Sequence, residues 1–539
     1  MQIAITGIGI ISALGVGAID NRKNLLSGKS FVKAPQILPT IHKEWPVGEV
    51  SIPNTEISRN VLLGEIALKE CLTDSGLNAE QIKALHLVNG TTVGGMDIIE
   101  KHYGDWSKGD FSNIACIEQL EADWTTKTLA SKFSLSDHTT ISTACSSALN
   151  AIIYGADLIL CGKVKRVVAG GTEALTKFHL NGFASLGIVS ENICRPFAAD
   201  RDGINLGEGA AYLILEEATA AEARNAHIYG YLAGYANCCD AYHQTASSPD
   251  GDGAYNAMSG ALKLSGLSTA DIEYINAHGT ATQNNDASEL RAIERLFGEN
   301  HTVKIESTKP LTGHTTSASG SIETIFTLWK MEENGYNYAI CNAFGFGGND
   351  SSIILAKEAV SLCGTSYNLN IKHSQSFNCN SSSDYKNIIP PMQARRMTPS
   401  LCHLIASAHS ALQQSGIDKP DAIVVSTQWG CIVQTVSLLD QLTENGENSL
   451  SPTAFMNSTH NTAACTLART LGCKGFNTTI VDDNPTEKAV LQAEMLIKTG
   501  VAKSVLVCAF NEADTKWQAL LDTAGIKSET VIESKVITI

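Results

Sequence analysis

The sequence predicts an α/β protein in which a βα pattern is duplicated. Three observations predict it. The 539 residues include 44 glycines but only 6% aromatic and 17% charged residues, a composition suited to tight turns and close backbone packing. Helical stretches that stop at a glycine and run into an apolar strand recur along the chain, each reading as one βα step of a parallel sheet. The same pattern returns in outline in the last third, so a degenerate copy of the first third is expected there.

The elements follow in order. Met1-Gln-Ile-Ala-Ile-Thr-Gly-Ile-Gly reads as a strand entering a glycine turn, without the basic and long apolar regions of a secretory signal, and a cytoplasmic protein is expected. Residues 71–95, Cys71-Leu-Thr-Asp-Ser-Gly-Leu and then an apolar strand, recur at 411–431 as Ala411-Leu-Gln-Gln-Ser-Gly-Ile and a second apolar strand. Ala151-Ile-Ile-Tyr-Gly-Ala-Asp-Leu-Ile-Leu-Cys-Gly aligns without gaps on Ala489-Val-Leu-Gln-Ala-Glu-Met-Leu-Ile-Lys-Thr-Gly, and each runs into a strand. Between the copies, Ser374-Gln-Ser-Phe-Asn-Cys-Asn-Ser-Ser-Ser-Asp is polar and rich in turn residues. The expected organisation is a first domain over residues 1–357, a linker over 358–386 and a second unit over 387–539.

Composition also excludes function classes. With 39 basic against 55 acidic residues, the net charge of −16 argues against a nucleic-acid partner. No charge-free apolar run reaches about 18 residues, so no membrane span is expected. The 15 cysteines show no zinc-spaced pairs and are read as reduced and mostly buried.

The sharpest chemical feature is Ile141-Ser-Thr-Ala-Cys-Ser-Ser-Ala-Leu, where a strand ends in small residues and a helix starts at Cys145. A cysteine at the positive end of a helix dipole is biased toward thiolate and so toward nucleophilicity. Alone it would read as a buried structural cysteine. Its companions are two histidines in small-residue loops after strands, Ile275-Asn-Ala-His278-Gly and Lys309-Pro-Leu-Thr-Gly-His314. A histidine there projects from the sheet end into a cleft. The turn Asn342-Ala-Phe-Gly345-Phe346-Gly347-Gly can present backbone N–H groups to a developing oxyanion.

These motifs resemble the β-ketoacyl-[acyl carrier protein] synthases of the elongating, Cys-His-His type, members of the thiolase superfamily, over roughly residues 1–357. Further matches are Thr6-Gly-Ile-Gly-Ile-Ile-Ser, Arg195-Pro-Phe-Ala-Ala-Asp-Arg-Asp-Gly203, Leu206-Gly-Glu-Gly-Ala, and Thr280-Ala-Thr leading to Asp286 and Glu289. The resemblance implies a thiolase-like fold of layered αβαβα type. It implies a decarboxylative condensation that extends an acyl chain held on Cys145 by a malonyl unit, in fatty acid or polyketide-type biosynthesis. His278 and His314 would steady the enolate, and the N–H groups of Cys145 and Phe346 would form the oxyanion hole, with Phe346 also a gate. Lys309 would tune the neighbouring histidine with Glu323 as its partner, while Asp286, Gly345 and Gly347 would support the site. The implied partners are an acyl carrier protein, acyl and malonyl thioesters, and a second subunit in a homodimer or a related heterodimer. No metal or redox cofactor is expected, since 4′-phosphopantetheine arrives on the carrier. Thr315 and Thr316 depart from the family's leucines after the second histidine, the segments 31–59 and 330–341 are shorter than usual, and both put pocket lining and docking in question.

Residues 387–539 resemble the N-terminal half of a ketosynthase-like family related to chain-length factors. The position of Cys145 falls there on Asp483, or on Asn484 with a one-residue slip, so this copy lacks the thiol and is expected to be silent and to pack on the first domain. His460 is read as a polar residue ordering a loop. A biosynthetic thiolase is the rival enzyme, but it needs a second cysteine where His314 stands. The non-enzyme alternative is a chain-length-factor-like scaffold.

Overall fold

The computed structural model describes residues 1–53, 55–362, 369–379, 385–386, 388–395, 397–484 and 486–539. The first sheet contains β1 (Ile3–Ser12), β2 (His86–Gly90), β3 (Asp137–Ile141), β4 (Arg166–Glu173) and β5 (Gly209–Glu217). Its order is β3-β2-β4-β5-β1, with β2 parallel to both neighbours and β5 antiparallel to both of its own. The second sheet repeats this with β6 (Gly230–Cys239), β7 (Tyr274–Asn276), β8 (Lys304–Glu306), β9 (Tyr338–Gly345) and β10 (Asn349–Ala356). There the order is β8-β7-β9-β10-β6, with identical polarities. The duplicated, layered architecture expected from the sequence is the one found.

Helices fill the layers according to their polarity. The amphipathic α1 (Arg59–Asp74) packs on the outer face of β1 and β5, and α2 (Ser147–Leu160) is buried along its whole length between the sheets. Helix α3 (Asp252–Ser265) covers β6 and β10 from outside, while α4 (Ser319–Asn334) joins α2 in the central layer. A helix buried on every side is mostly apolar all round, as Ala148-Leu-Asn-Ala-Ile-Ile-Tyr is, and its Asn150 donates to Asn349 at 2.8 Å and accepts from Ser351 at 2.6 Å. The two central helices approach so closely that a Cβ on Gly320 would stand 2.7 Å from the Leu149 nitrogen.

The last third builds a third sheet from β11 (Ala422–Thr427), β12 (Phe476–Val481), β13 (Ser504–Asn511) and β14 (Val531–Thr538). Its order β12-β11-β13-β14 copies the first sheet. The copied helices are α5 (Pro399–Gln414) and α6 (Glu487–Lys498). The sheet begins earlier than the expected boundary at 387, because Lys372–His373 and Phe377–Asn378 add antiparallel to β14. That part of the expected linker is strand, since Phe377 has an apolar helix, α5, to pack against. Residues 363–368 and 380–384 of the same segment are outside the described residues.

Edge strand β12 pairs antiparallel with edge strand β3, matching Ile480 to Ile141 and Val481 to Thr140. The ladder continues as the Ser142 N–H donates to the Thr479 carbonyl at 3.0 Å. One hydrophobic cluster runs across this seam from Ile141 and Tyr154 to Ile480, Ala493 and Val505. Among the described residues no helix is long and apolar enough to cross a membrane.

Candidate active site

Cys145 sits where β3 hands over to α2. Ala144 takes a left-handed backbone with φ of 54°, unusual for a residue with a side chain, and a single 3₁₀ turn over Ala144–Ser146 precedes the helix. The turn is locked locally, with the Ser147 hydroxyl donating to the Ala144 carbonyl at 2.6 Å and accepting from the Thr143 N–H at 2.9 Å. This strained elbow projects the thiol between the sheets. The helix dipole does not make it a thiolate at rest: burial pushes the thiol up to about 12, outweighing the Lys309 charge and the backbone hydrogen bonds from Phe346 and Cys145. The bias inferred from the helix position is therefore overridden by desolvation.

His278 follows β7 and His314 follows the short helix Lys309–Thr312. Their ring centroids are 5.3 Å apart, and the Cys145 sulfur and one nitrogen of each ring lie within 4.8 Å of one another. The His278 loop is braced from below: Glu289 accepts from the His278 and Gly279 N–H groups, each at 2.9 Å, and Asp286 accepts from Phe197 at 2.7 Å and Ala281 at 3.1 Å. His314 is held through its backbone, which donates to the Asn205 carbonyl at 2.7 Å and accepts from the Gly207 N–H at 2.9 Å.

The imidazoles themselves are unoccupied by protein. His278 Nδ1 and both ring nitrogens of His314 are buried without a hydrogen-bond partner. Burial, then the Lys309 charge, holds both rings well below their ordinary pKa, so both are neutral near pH 7. Lys309 is 0% exposed and donates to Glu323 at 2.6 Å, and burial raises the Glu323 carboxyl against the pull of Lys309. The sulfur and two imidazoles have the composition of a zinc set, but a buried ammonium that already repels protons from both rings also opposes a dication.

The Gly345–Gly347 turn passes beside the thiol. A Cβ on Gly345 would lie 2.7 Å from the Thr143 carbonyl, and Gly347, at φ 87°, would meet the Cys465 sulfur at 2.3 Å. The Phe346 ring lies tilted against Phe183 with centroids 5.5 Å apart, and its carbonyl accepts from Asn461 Nδ2 at 2.8 Å. Asn461 belongs to the last third, so the added unit holds the turn that borders Cys145.

Two cavities meet at Cys145 and Phe346. A cleft of about 350 Å³ reaches outward past His278, His314, Thr280 and Phe344. A pocket of about 60 Å³ reaches inward to His179, Phe183, Trp429, Phe455 and His460. Local motifs had singled out only His460 of that inner wall, and as a loop-ordering residue; its ring makes no side-chain hydrogen bond to any described residue and faces the pocket instead. Glu173 was also missed: it accepts from Thr91 and Thr316, both at 3.0 Å, under the thiol. The departure at Thr316 from an apolar family position was the one sequence signal for it. Asp483, which the ungapped alignment sets at the position of Cys145, pairs with Lys127 at 3.0 Å on the surface.

A strained cysteine elbow facing paired histidines inside a duplicated, layered αβαβα core defines a thiolase-fold acyltransferase. The chain belongs to the β-ketoacyl synthase family. The family model described as beta-ketoacyl synthase, N-terminal domain, matches residues 51–221, and its C-terminal counterpart matches 229–337. A second N-terminal-domain model matches 371–527. The 3-oxoacyl-[acyl-carrier-protein] synthase 2 of Rhizobium meliloti is 33% identical over 420 residues, covering 66% of this chain and 99% of the relative. The Synechocystis enzyme of the same name is 36% identical, covering 52% of this chain and 76% of its own length. A type II PKS ketosynthase solved with its acyl carrier protein and bound to a hexaketide is 25% identical, with a TM-score of 0.62 over 66% of this chain and 99% of that one. A PfaC keto synthase-chain length factor shares the fold over 100% of this chain and 78% of its own, at 16% identity and a TM-score of 0.79.

Proposed function

We propose that the chain forms carbon–carbon bonds by decarboxylative Claisen condensation between malonyl carrier protein and an acyl group held on Cys145. The observation that carries this reading is a thiol and two unpartnered, neutral imidazoles sharing one cavity. In the first half-reaction the Cys145 sulfur attacks a carrier thioester as its proton passes to an imidazole nitrogen. The N–H groups of Cys145 and Phe346 stabilise the tetrahedral oxyanion, and the carrier thiol leaves protonated. In the second, carbon dioxide leaves the malonyl group and negative charge gathers on its thioester oxygen. Neutral His278 and His314 each offer an N–H to that oxygen, the carbanion attacks the acyl carbonyl, and the carbon–sulfur bond to Cys145 breaks, the departing thiolate taking up one proton from solvent to restore the resting thiol.

Lys309 serves this scheme by keeping the imidazoles uncharged, and Glu323 neutralises Lys309 in turn. Loss of carbon dioxide drives the reaction, so neither metal nor redox cofactor enters it. The last third acts without a nucleophile of its own, as a chain-length-factor-like unit fused in place of a partner subunit; Asp483 at the position of the thiol favours this reading. The test is Cys145→Gln. Condensation and acyl loading should vanish while carbon dioxide release from malonyl carrier protein persists, and a variant that still condenses rules the mechanism out.

A further inference from the structure

The inner pocket differs from a channel for a plain alkyl chain in its walls and in its depth. Phe178, Phe183 and Phe455 close on one another edge-to-face, with Phe455 5.2 Å from Phe183 and 6.3 Å from Phe178. Phe455 packs so tightly on α-helical Gly182 that a Cβ there would stand 2.2 Å from its ring. Trp429, stacked edge-on against Trp517 at 5.6 Å, forms part of the same wall. The remaining space of about 60 Å³ holds about four to six water-sized groups, at about 10–15 Å³ each.

That small space is not apolar. His179 and His460 both line it, each partly buried, and neither ring hydrogen-bonds to any described residue, so a chain that fills the pocket takes the place of the water that reaches them. His460 comes from the last third, pressed against the Gly430 turn; His179 comes from the helix Lys177–Ser185 of the first domain. Burial lowers both, His460 to about 4, so near pH 7 each presents a neutral ring with one donor and one acceptor. Leaving two such rings unpaired opposite an alkyl chain would forfeit hydrogen bonds at both, whereas an oxygenated chain would satisfy them.

We infer that His179 and His460 are specificity-determining residues that select, at Cys145, a short acyl chain bearing a keto or hydroxyl oxygen over an unsubstituted one. The choice of substrate is thus made jointly by the catalytic domain and the added unit. It depends on Cys145 carrying the acyl group, as proposed above.

The test loads the full chain with acetoacetyl, butyryl and hexadecanoyl carrier protein and times acylation by intact mass. Acetoacetyl is expected to load about tenfold faster than butyryl, the scale of one to two hydrogen bonds, and hexadecanoyl is expected not to load. His460→Leu should bring the acetoacetyl-to-butyryl ratio close to one, as should His179→Leu, while His460→Gln, which keeps a donor, should restore the preference. Equal loading of butyryl and acetoacetyl by the native chain, efficient hexadecanoyl loading, or a ratio unmoved in both leucine variants overturns the inference while leaving acyl transfer intact. No loading from any carrier overturns the acyl-Cys145 reading together with it.

Discussion

Burial holds the Cys145 thiol and both imidazoles uncharged, because each charged form would lose its hydration; the Lys309 charge favours the thiolate too weakly to offset that loss and adds to the cost of either imidazolium. Protonated imidazoles would still donate hydrogen bonds but could not take the thiol proton, so the depressed pKa values widen the working range toward acid. Acyl loading should therefore hold its rate as pH falls through 6.5 and decline well below it, whereas malonyl decarboxylation, which asks the imidazoles only to donate, should not share that acid limb. Lys309→Met combined with Glu323→Gln removes the charge without stranding a buried carboxylate. The acid limb should then move up toward 6.5; a limb that stays put in the pH–rate profile contradicts the role given to Lys309. The residues that the fold brings together were legible because Cys145, His278, His314 and Lys309 sit in short motifs of fixed local spacing. The resting protonation of the thiol was not, since it depends on how much protein covers it, and that follows from distant packing.

Each βα step was visible as a glycine stop followed by an apolar strand, as at Ser75-Gly76 before β2 and Ser415-Gly416 before β11. What local pattern cannot carry is which edges meet. The pairing of β3 with β12 joins residues more than three hundred positions apart, and neither Thr140 nor Val481 announces its partner. The strand pieces at 372–378 were hidden for a related reason: their turn-rich flanks outweigh two residues of strand apiece. Removing residues 371–539 would leave unpaired the N–H and C=O groups on the edge of β3 that faces β12, and uncover apolar surface at Ile141, Ile152 and Tyr154. The truncated chain is expected to self-associate or precipitate, read by sedimentation and by dye binding to exposed apolar surface. A truncation that stays monomeric and as stable as the full chain would refute the role given to that seam.

Across the whole molecule, three half-units of one topology share a continuous core, and the third lends the candidate site Asn461, His460 and Phe455. The duplication could be read from aligned segments such as 151–162 and 489–500. The shared pocket could not, because its wall is assembled from side chains that only tertiary packing brings together. The central claim, that Cys145 carries the acyl group, is tested most directly by incubating the full chain with acetoacetyl carrier protein and locating the adduct by peptide mass mapping. The account predicts the acyl mass on the peptide containing Cys145 and its release as a lengthened chain when malonyl carrier protein is added. An adduct on any other residue, or none at all under conditions of turnover, would contradict it.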